Sequence, residues 1–380
     1  MKLLNILRGI KKNFLHYATL IEVLVLKDNL LGNLHEYQKH YPILDFSPVL
    51  KSNAYGHGLI EVARILDKEK IPFFTVDSLY EAELLRDNGI RSKILVIGYI
   101  DDNNLIHSQL IDVIFTITSL EQLQKINENI SQKKMFHLKI DTGMHRQGVL
   151  LDQIKEVLEI IKANKFIELD GICSHFSDAD GLEEDFTLAQ IENWEQAVSL
   201  SKNAFPDIKY YHLANTAGSI YTSRAFCNVV RLGIGLYGIN TALASDLDLK
   251  PALRMESVIS SVKMISVGET VGYNNTYKAD KATRIATVPV GYFEGVDRRL
   301  SNCGHFKVNG VDCPIIGRVS MNITSIDISG VANVKLGDKV TIISDKKEDN
   351  NSIENIAKCA DTIPYEILVH IPPHLRRNVI

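Results

Sequence analysis

Short apolar, β-branched segments alternate with helical patterns along the first part of the chain. Between most of these segments, apolar residues recur at spacings of three and four, which is typical of one buried helix face. Eight alternations over roughly 200 residues match the strand count and the length of a (β/α)8 barrel better than those of an open sheet. The sequence therefore predicts a TIM-like α/β barrel, whose strands are 47–50, 72–76, 94–97, 112–117, 136–140, 167–172, 210–213 and 229–232.

The pattern changes after Gly238, where helices nearly vanish and short strands continue. Turn residues such as Asn309 and Gly310 separate these strands. We therefore expect an N-terminal extension over 1–16, the barrel over 17–244 and a mainly β C-terminal domain over 245–380. A further strand at 19–25 could pair with that domain. The predicted strands of the domain are 257–265, 284–290, 313–319, 323–328 and 339–343.

The composition excludes several classes of protein. A formal net charge of -4 gives no broad basic surface, so nucleic acid is not an expected partner. The five cysteines have no CxxC spacing, and no zinc site is predicted. No 18 consecutive residues are apolar and no cleavage site follows the basic start, which predicts a cytoplasmic protein without an integral membrane segment. The first residues could still form an amphipathic helix at a membrane surface.

Lys51 ends the first predicted barrel strand and begins a glycine-containing turn. Val49 and Leu50 indicate the end of a buried strand, while Gly56 and Gly58 allow the following loop to pass close to a ligand. A partly desolvated lysine loses its proton more easily, and a neutral amine can form a Schiff base with an aldehyde. Lys51 is therefore a candidate for covalent chemistry.

Polar residues follow most of the predicted barrel strands, at the end where barrels carry their active sites. Thr216 and the amides of Gly233 and Ile234 lie after the last two strands, where barrels commonly bind phosphate. The residues at these strand ends are Lys51, Tyr55, Lys139, Arg146, His175, His212, Asn215, Thr216 and Arg231.

Several motifs carry a resemblance to a known family. They are SPVLKSNAYGHG at 47–58, DTGMHR at 141–146, SHF at 174–176, RLGIGLYG at 231–238, VGY at 271–273, PVGY at 289–292, GRVSM at 317–321 and TIPYE at 362–366. Together they resemble the alanine racemase family over roughly residues 17–377. The resemblance implies a pyridoxal phosphate-dependent isomerase that interconverts L-alanine and D-alanine. It also implies a homodimer with shared active sites, which supplies D-alanine for peptidoglycan.

The resemblance assigns two bases to the reaction. It implies that Lys51 holds the cofactor and acts as one base, and that Tyr273 of the partner subunit acts as the other. Inversion at Cα requires a proton to leave one face and to return on the opposite face. His175 would tune Tyr273, and Arg231 would contact the cofactor ring nitrogen. Because arginine keeps its proton, the ring would remain a weaker electron sink.

Further roles follow from the same resemblance. Cofactor contacts are implied for Tyr55, His175, Asn215, Thr216, Arg231, Gly233, Ile234 and Tyr365. Arg146 and the Met321 backbone would bind the substrate carboxylate. His212 would support Arg231, and Tyr292 is a further supporting residue. Lys139 matches a lysine that is carbamylated in some members of the family.

Asn322 departs from the family, which usually has Asp after this methionine. Asn keeps the shape of Asp but loses a negative charge near the substrate. A racemase for serine or another amino acid, or a weakly active or non-catalytic pyridoxal phosphate-binding homologue, therefore remains an alternative. An amino-acid decarboxylase would need a glycine-rich phosphate loop that the chain lacks.

A metal-dependent hydrolase is the alternative from another class, since Lys139, His175 and His212 could contribute to a paired-metal site. The first strand has no His-x-His pair, however, and Arg231 stands where such a site needs Asp. The ligand set is incomplete, so no metal is predicted.

Overall fold

The computed structural model describes residues 19–181, 183–241 and 246–380, which fall into two compact units. The first, here called the barrel unit, comprises Val25–Arg254, Ser344–Pro373 and Val379–Ile380. The second, here called the β unit, comprises 19–24, Met255–Ile343 and His374–Asn378. The predicted extension over 1–16 lies outside the described residues.

The barrel unit contains eight parallel strands, each close to its predicted position. The first strand along the chain, β1 (Glu22–Val25), precedes them. The eight are β2 (Asp45–Pro48), β3 (Phe74–Val76), β4 (Ile94–Val96), β5 (Val113–Ile117), β6 (Lys134–Lys139), β7 (Ile167–Cys173), β8 (Tyr210–His212) and β9 (Val229–Leu232).

Two sheets join to close the barrel. Strands β3 to β8 form one parallel sheet in chain order, and β2 pairs with β9 in parallel. A bridge between Val49 and Thr75 links β2 to β3. The Arg231 N–H donates to the Ala214 carbonyl (3.0 Å), which links β9 to the end of β8. The predicted TIM-like barrel is confirmed.

The barrel helices follow from apolar spacing and polar caps. In the helix at 154–163, the buried residues Ile154, Val157, Leu158 and Ile161 lie on one face. The Ser119 side chain caps another helix by accepting from the Gln122 N–H. The helices are α1 (Lys27–His40), α2 (Leu59–Leu66), α3 (Leu79–Asp87), α4 (Asp102–His107), α5 (Leu120–Asn129), α6 (Ile154–Ala163) and α7 (Asp185–Ala204).

Two further helices correct the expectation that helices nearly vanish after residue 238. They are α8 (Ile353–Cys359) and α9 (Pro364–Val369), and both belong to the barrel unit. Each has only two turns or fewer, which is too short for a clear apolar period. Pro364 at the first position of α9 was the available signal, because proline is favoured there.

The β unit is built from short strands, as predicted. They are β10 (Leu253–Val258), β11 (Ser261–Ile265), β12 (Thr270–Val271), β13 (Tyr277–Lys278), β14 (Thr283–Val288), β15 (His305–Val308), β16 (Val311–Pro314), β17 (Thr324–Asp327), β18 (Lys339–Ile343) and β19 (Arg377–Val379). One sheet has the order β16-β15-β18-β10-β1-β19, and a second has the order β11-β14-β17. Strands β12 and β13 pair separately. The expected pairing of the 19–25 segment with this domain is confirmed.

Two predicted strands of the β unit were wrong in their extent. The segment 257–265 contains two strands, because β10 pairs with β18 in one sheet while β11 pairs with β14 in the other. Of the segment predicted at 313–319, only Cys313 and Pro314 lie in a strand, which runs from Val311 to Pro314. Along the described ranges, no helix combines the length and the apolar character needed to cross a membrane.

Candidate active site

The backbone at Lys51 is fixed by the strands on both sides of β2. The Val49 N–H donates to the Leu232 carbonyl (2.9 Å), and the Leu50 N–H donates to the Thr75 carbonyl (2.8 Å). The buried Tyr237 hydroxyl donates to the Val49 carbonyl (2.8 Å). Lys51 is therefore held at the carboxyl end of its strand, as the sequence predicted.

A left-handed turn follows Lys51. Ser52, Asn53, Ala54 and Tyr55 have φ angles of 56°, 57°, 52° and 51°. This conformation costs an L-residue about 1–2 kcal/mol, so four in succession require external support. The Ser52 N–H donates to Glu81 Oε1 (2.7 Å), and Glu81 Oε2 accepts from the Asp77 N–H (2.8 Å). The Glu81 carboxylate of α3 thus links the turn to the residue that follows β3.

Gly56 ends the turn at a point of very close packing. Its φ is 80°, and a Cβ atom built there would lie 2.1 Å from the Leu368 carbonyl oxygen of α9. No larger residue fits this approach. The contact brings α9 against the turn, and the rings of Tyr55 and Tyr365 lie 6.0 Å apart.

A cavity of about 630 Å³ opens above the strand ends, and its lining residues all belong to the barrel unit. The structure therefore brings together most of the side chains selected from sequence. Those that line the cavity are Lys51, Tyr55, Lys139, Arg146, His175, Asn215, Thr216, Arg231, Gly233, Ile234 and Tyr365. Arg146 is exposed, Lys51 is partly buried, and Lys139 and Arg231 are buried.

Arg231 on β9 is the centre of a dense hydrogen-bond network. Its Nη1 donates to His212 Nδ1 (2.7 Å) and to the His212 carbonyl (2.5 Å). Its Nη2 donates to His175 Nδ1 (2.8 Å) and to the carbonyls of Ser174 (2.7 Å) and Leu213 (3.2 Å). Burial lowers the pKa of this guanidinium. The side chain is held rigidly at the ends of β7, β8 and β9.

This network sets the tautomers of two histidines. A guanidinium has no acceptor, so His175 Nδ1 and His212 Nδ1 must both be unprotonated. Burial, with the charge of Arg231 as a further cause, lowers the pKa of both imidazoles well below the usual value. Each ring is therefore neutral and carries its proton on Nε2. His175, which lines the cavity, can donate that N–H to a bound group.

His137 extends the network and was missed by the sequence analysis. The His212 Nε2–H donates to His137 Nδ1 (2.8 Å), and burial lowers the pKa of His137 to about 3. The signal was available, because His137 lies two residues before Lys139 on β6 and alternate strand residues share a face. His137 lies deeper in the barrel than the strand ends, where the other candidates stand.

The phenols and glycine at one side of the cavity fit a phosphate group. Burial raises the pKa of Tyr55 and raises that of Tyr365 to about 12, so both phenols are donors near neutral pH. A Cβ atom on Gly233 would lie 2.8 Å from the Tyr55 hydroxyl, so only glycine leaves this space open. The sequence placed the Gly233 amide towards phosphate, but that N–H donates to Thr216 Oγ1 (3.1 Å). Thr216 accepts there and keeps its own O–H to donate.

Lys139 is buried beside several cations. Burial lowers its pKa, and the charges of Arg231, Arg146 and Lys51 lower it further. These effects shift the equilibrium of Lys139 towards the neutral amine. Among the described residues, no group of three or more His, Cys, Asp or Glu side chains is arranged to hold a metal ion.

The remaining predicted residues lie in the β unit. Tyr273 follows β12 and is 67% exposed; Tyr292 and Met321 are 44% and 55% exposed. The Tyr292 N–H donates to the Ser320 carbonyl (3.1 Å), which joins the loops that carry Tyr292 and Met321. Asn322 donates through Nδ2 to Glu294 Oε1 (2.6 Å), a partner that the sequence analysis did not identify.

Comparison with known proteins identifies the family. The family model for the alanine racemase N-terminal domain matches residues 25–241, and that for the C-terminal domain matches residues 252–379. The chain belongs to the alanine racemase family. The members of this family are pyridoxal phosphate-dependent isomerases, so the chain is an enzyme and pyridoxal phosphate is its cofactor. The resemblance stated from sequence is confirmed.

Individual relatives agree over nearly the full chain. The alanine racemase of Lactobacillus gasseri is 36% identical over 359 residues, which covers 90% of this chain and 93% of that protein. The structure of the alanine racemase of Clostridium difficile 630 has a TM-score of 0.88 and 31% identity, with 96% of each chain covered. That of Bacillus anthracis, with bound L-Ala-P, has a TM-score of 0.88 and 30% identity, again with 96% of each chain covered.

Proposed function

We propose that the enzyme interconverts L-alanine and D-alanine, with Lys51 and Tyr273 as bases on opposite faces of the substrate. The observation that carries this proposal is the placement of Lys51. It stands immediately before a strained left-handed turn and lines a cavity together with His175, Arg231 and two protonated phenols. The names of the relatives described above support alanine as the substrate.

Lys51 and Tyr273 are the two bases of the proposed proton exchange. Bound pyridoxal phosphate supplies the electron sink that makes the Cα proton of an amino acid acidic. Lys51 Nζ takes that proton from one face, and the Tyr273 hydroxyl returns a proton to the other. In the reverse direction the two groups exchange roles. Before the amino acid binds, Lys51 would hold the cofactor, and the amino group of the substrate would take its place and free the Lys51 amine to act as a base. The residues that would surround the phosphate are Tyr55, Asn215, Thr216, Gly233, Ile234 and Tyr365, and Arg231 would contact the ring nitrogen.

His175 tunes the second base in this proposal. Its Nδ1 accepts from Arg231, so its Nε2–H is available to stabilise a deprotonated phenol. Tyr55 and Tyr365 do not suit that role, because burial raises the pKa of both phenols. The exposed Tyr273 is the better candidate, supplied by the partner subunit of a homodimer.

The substrate carboxylate is bound by Arg146 and the Met321 backbone. Arg146 lines the cavity and is exposed, so it is accessible to a small amino acid. Lys139, buried beside it, adds its neutral amine to carbon dioxide, forms an N–C bond and releases a proton. The resulting carbamate places an anion near Arg146 and Arg231. His212 and Tyr292 are supporting residues.

The cofactor and substrate claims have direct tests. Borohydride reduction of the holoenzyme followed by peptide mass spectrometry should find the pyridoxyl group on Lys51. A panel of L- and D-amino acids should show the fastest conversion with alanine. Faster conversion of serine would favour the alternative racemase, and no conversion of any amino acid would leave a non-catalytic cofactor-binding protein.

The shared site is tested by subunit mixing. Lys51→Ala and Tyr273→Phe enzymes, each inactive or nearly so, should regain activity when their subunits exchange, because a mixed dimer contains one site with both bases. Exchange proven by differently tagged subunits without any recovery would contradict the shared site. Mixing each variant with itself is the control.

The carbamate is tested with carbon-13-labelled bicarbonate. The holoenzyme should give a carbamate carbon signal that is lost in Lys139→Arg and retained in Lys134→Arg. Lys134 is the matched control, because burial also lowers its pKa but it donates to the Ser108 carbonyl (2.6 Å). An unchanged signal in Lys139→Arg would place the modification elsewhere.

The cellular role proposed for the enzyme is cytoplasmic supply of D-alanine for peptidoglycan. Its support is the proposed product. Cell fractionation locates the protein, and deletion of the gene should make growth depend on added D-alanine. Growth without D-alanine would indicate a second source or another role.

A further inference from the structure

Two loops of the β unit are joined by a pair of polar side chains. The loop 291–295 carries Tyr292, and the loop 320–323 carries Met321. Asn322 Nδ2 donates to Glu294 Oε1 (2.6 Å), and Glu294 Oε2 accepts from the Gly291 N–H (2.8 Å). Both oxygens of the Glu294 side chain therefore accept hydrogen bonds.

Backbone contacts make the same junction close. The Phe293 N–H donates to the Met321 carbonyl (2.9 Å), and the Ser320 N–H donates to the Ile323 carbonyl (3.0 Å). A Cβ atom on Gly291 would lie 2.1 Å from the Ser320 carbonyl oxygen. Little room remains for the loops to separate or shift without breaking these contacts.

Glu294 is buried in this junction, with 7% of its surface exposed. A buried carboxylate needs donors, because an unpaired or repelled charge is costly there. The amide of Asn322 provides one, and an aspartate at 322 could not. An aspartate would instead bring a second acceptor, and in its ionised form a second negative charge, to a contact of 2.6 Å.

We infer that Glu294 and Asn322 act together as a positioning pair, which fixes the Met321 backbone and Tyr292 for the reaction. The inference rests on the proposed roles of Met321 and Tyr292. It gives Asn322 a specific function in this chain, where the family usually has aspartate. Restoring the family residue at 322 should therefore damage the enzyme while Glu294 is present.

The test is a cycle of three variants in the holoenzyme. Asn322→Asp should lower kcat/KM for alanine by at least about tenfold, the factor for about 1.4 kcal/mol, chiefly by raising KM. Glu294→Gln should have a small effect, since Asn322 can rotate its amide to offer the carbonyl oxygen. The double variant should return to the level of Glu294→Gln. Its new amide at position 294 can donate to the new carboxylate at position 322 and still accept from the Gly291 N–H.

Asn309→Asp is the matched control, since it adds the same charge at an exposed turn of the β unit. It should behave as the wild type. A merely structural pair would lower thermal stability without changing KM. The positioning role is overturned if Asn322→Asp matches the wild type in KM, or if the double variant is no better than Asn322→Asp.

Failure of the proposed function gives a different result. A wild-type protein that converts no amino acid contradicts the racemase proposal, and the pair is then judged by the thermal midpoints of the same variants. A lower midpoint in Asn322→Asp that the double variant restores supports the coupling. If the changes in thermal midpoint of the two single variants simply add in the double variant, the coupling is overturned.

Discussion

At the scale of single residues, a chain of donors fixes the protonation of the site. Arg231 donates to His212, and His212 donates to His137. Each imidazole is thereby held in one orientation with its proton on Nε2. The last N–H of this chain, on His137, has no hydrogen-bond partner among the described residues. The orientation of Arg231, which is proposed to contact the cofactor ring, thus depends in part on His137 deep in the barrel.

Two replacements of His137 should separate the effect of its hydrogen-bond acceptor from the effect of its volume. His137→Asn keeps an acceptor near the Nδ1 position, whereas His137→Leu leaves the His212 Nε2–H buried and unpaired. The leucine variant should lose about 1–3 kcal/mol of stability relative to the asparagine variant. It should also shift the visible spectrum of the bound cofactor, because His212, the partner of Arg231, loses the acceptor that fixes its ring. Chemical unfolding and absorbance of the two holoenzymes measure this difference. Equal behaviour of the two variants would contradict the role given to the hydrogen bond between His212 and His137.

At the scale of secondary structure elements, the strands were predictable and the turn after Lys51 was not. Alternation with helices located all eight barrel strands, because buried parallel strands form short apolar runs. The left-handed turn contains Ser52, Ala54 and Tyr55, which individually prefer other conformations. Its support comes from Glu81 on α3, 29 residues further along the chain, and no local sequence pattern records that contact.

Glu81 should therefore matter for cofactor retention. Glu81→Ala removes both hydrogen bonds that the carboxylate accepts from the Ser52 and Asp77 amides. Each such charged bond contributes about 1.5–3 kcal/mol, so the affinity for pyridoxal phosphate should fall by at least about tenfold. Titration of the apoenzyme with pyridoxal phosphate measures the change. The control is Glu83→Ala on the same helix, at an exposed position; equal loss in both variants would exclude a specific role for Glu81.

At the scale of the whole molecule, the sequence predicted which residues line the cavity but not the tertiary contacts that support the site. The strand-end rule brought Lys51, His175 and Arg231 to one cavity, because parallel strands end at the same rim. The partner of Asn322 lies 28 residues earlier, in another loop. Such a contact depends on tertiary folding, and neither periodicity nor a motif reports it.

The buried histidines should make the folded protein sensitive to acid. The pKa of His137 is lowered from 6.5 to about 3, and those of His175 and His212 are also lowered, in each case chiefly by burial. Below pH 6.5 the unfolded chain binds protons that the folded chain does not. The contribution of these neutral histidines to the free energy of unfolding is therefore fully present above about pH 6.5 and is lost as the pH falls, for His137 down to about pH 3. Each histidine changes that free energy by up to about 1.4 kcal/mol per pH unit.

Unfolding of the holoenzyme by urea between pH 5 and 7.5 measures this slope. His137→Asn removes one buried titrating group, so its stability should fall less steeply with acid than that of the wild type. His107→Asn is the control, because it makes the same substitution at an exposed position of α4. If His137→Asn kept the wild-type dependence of stability on pH, the prediction for the buried His137 would be contradicted.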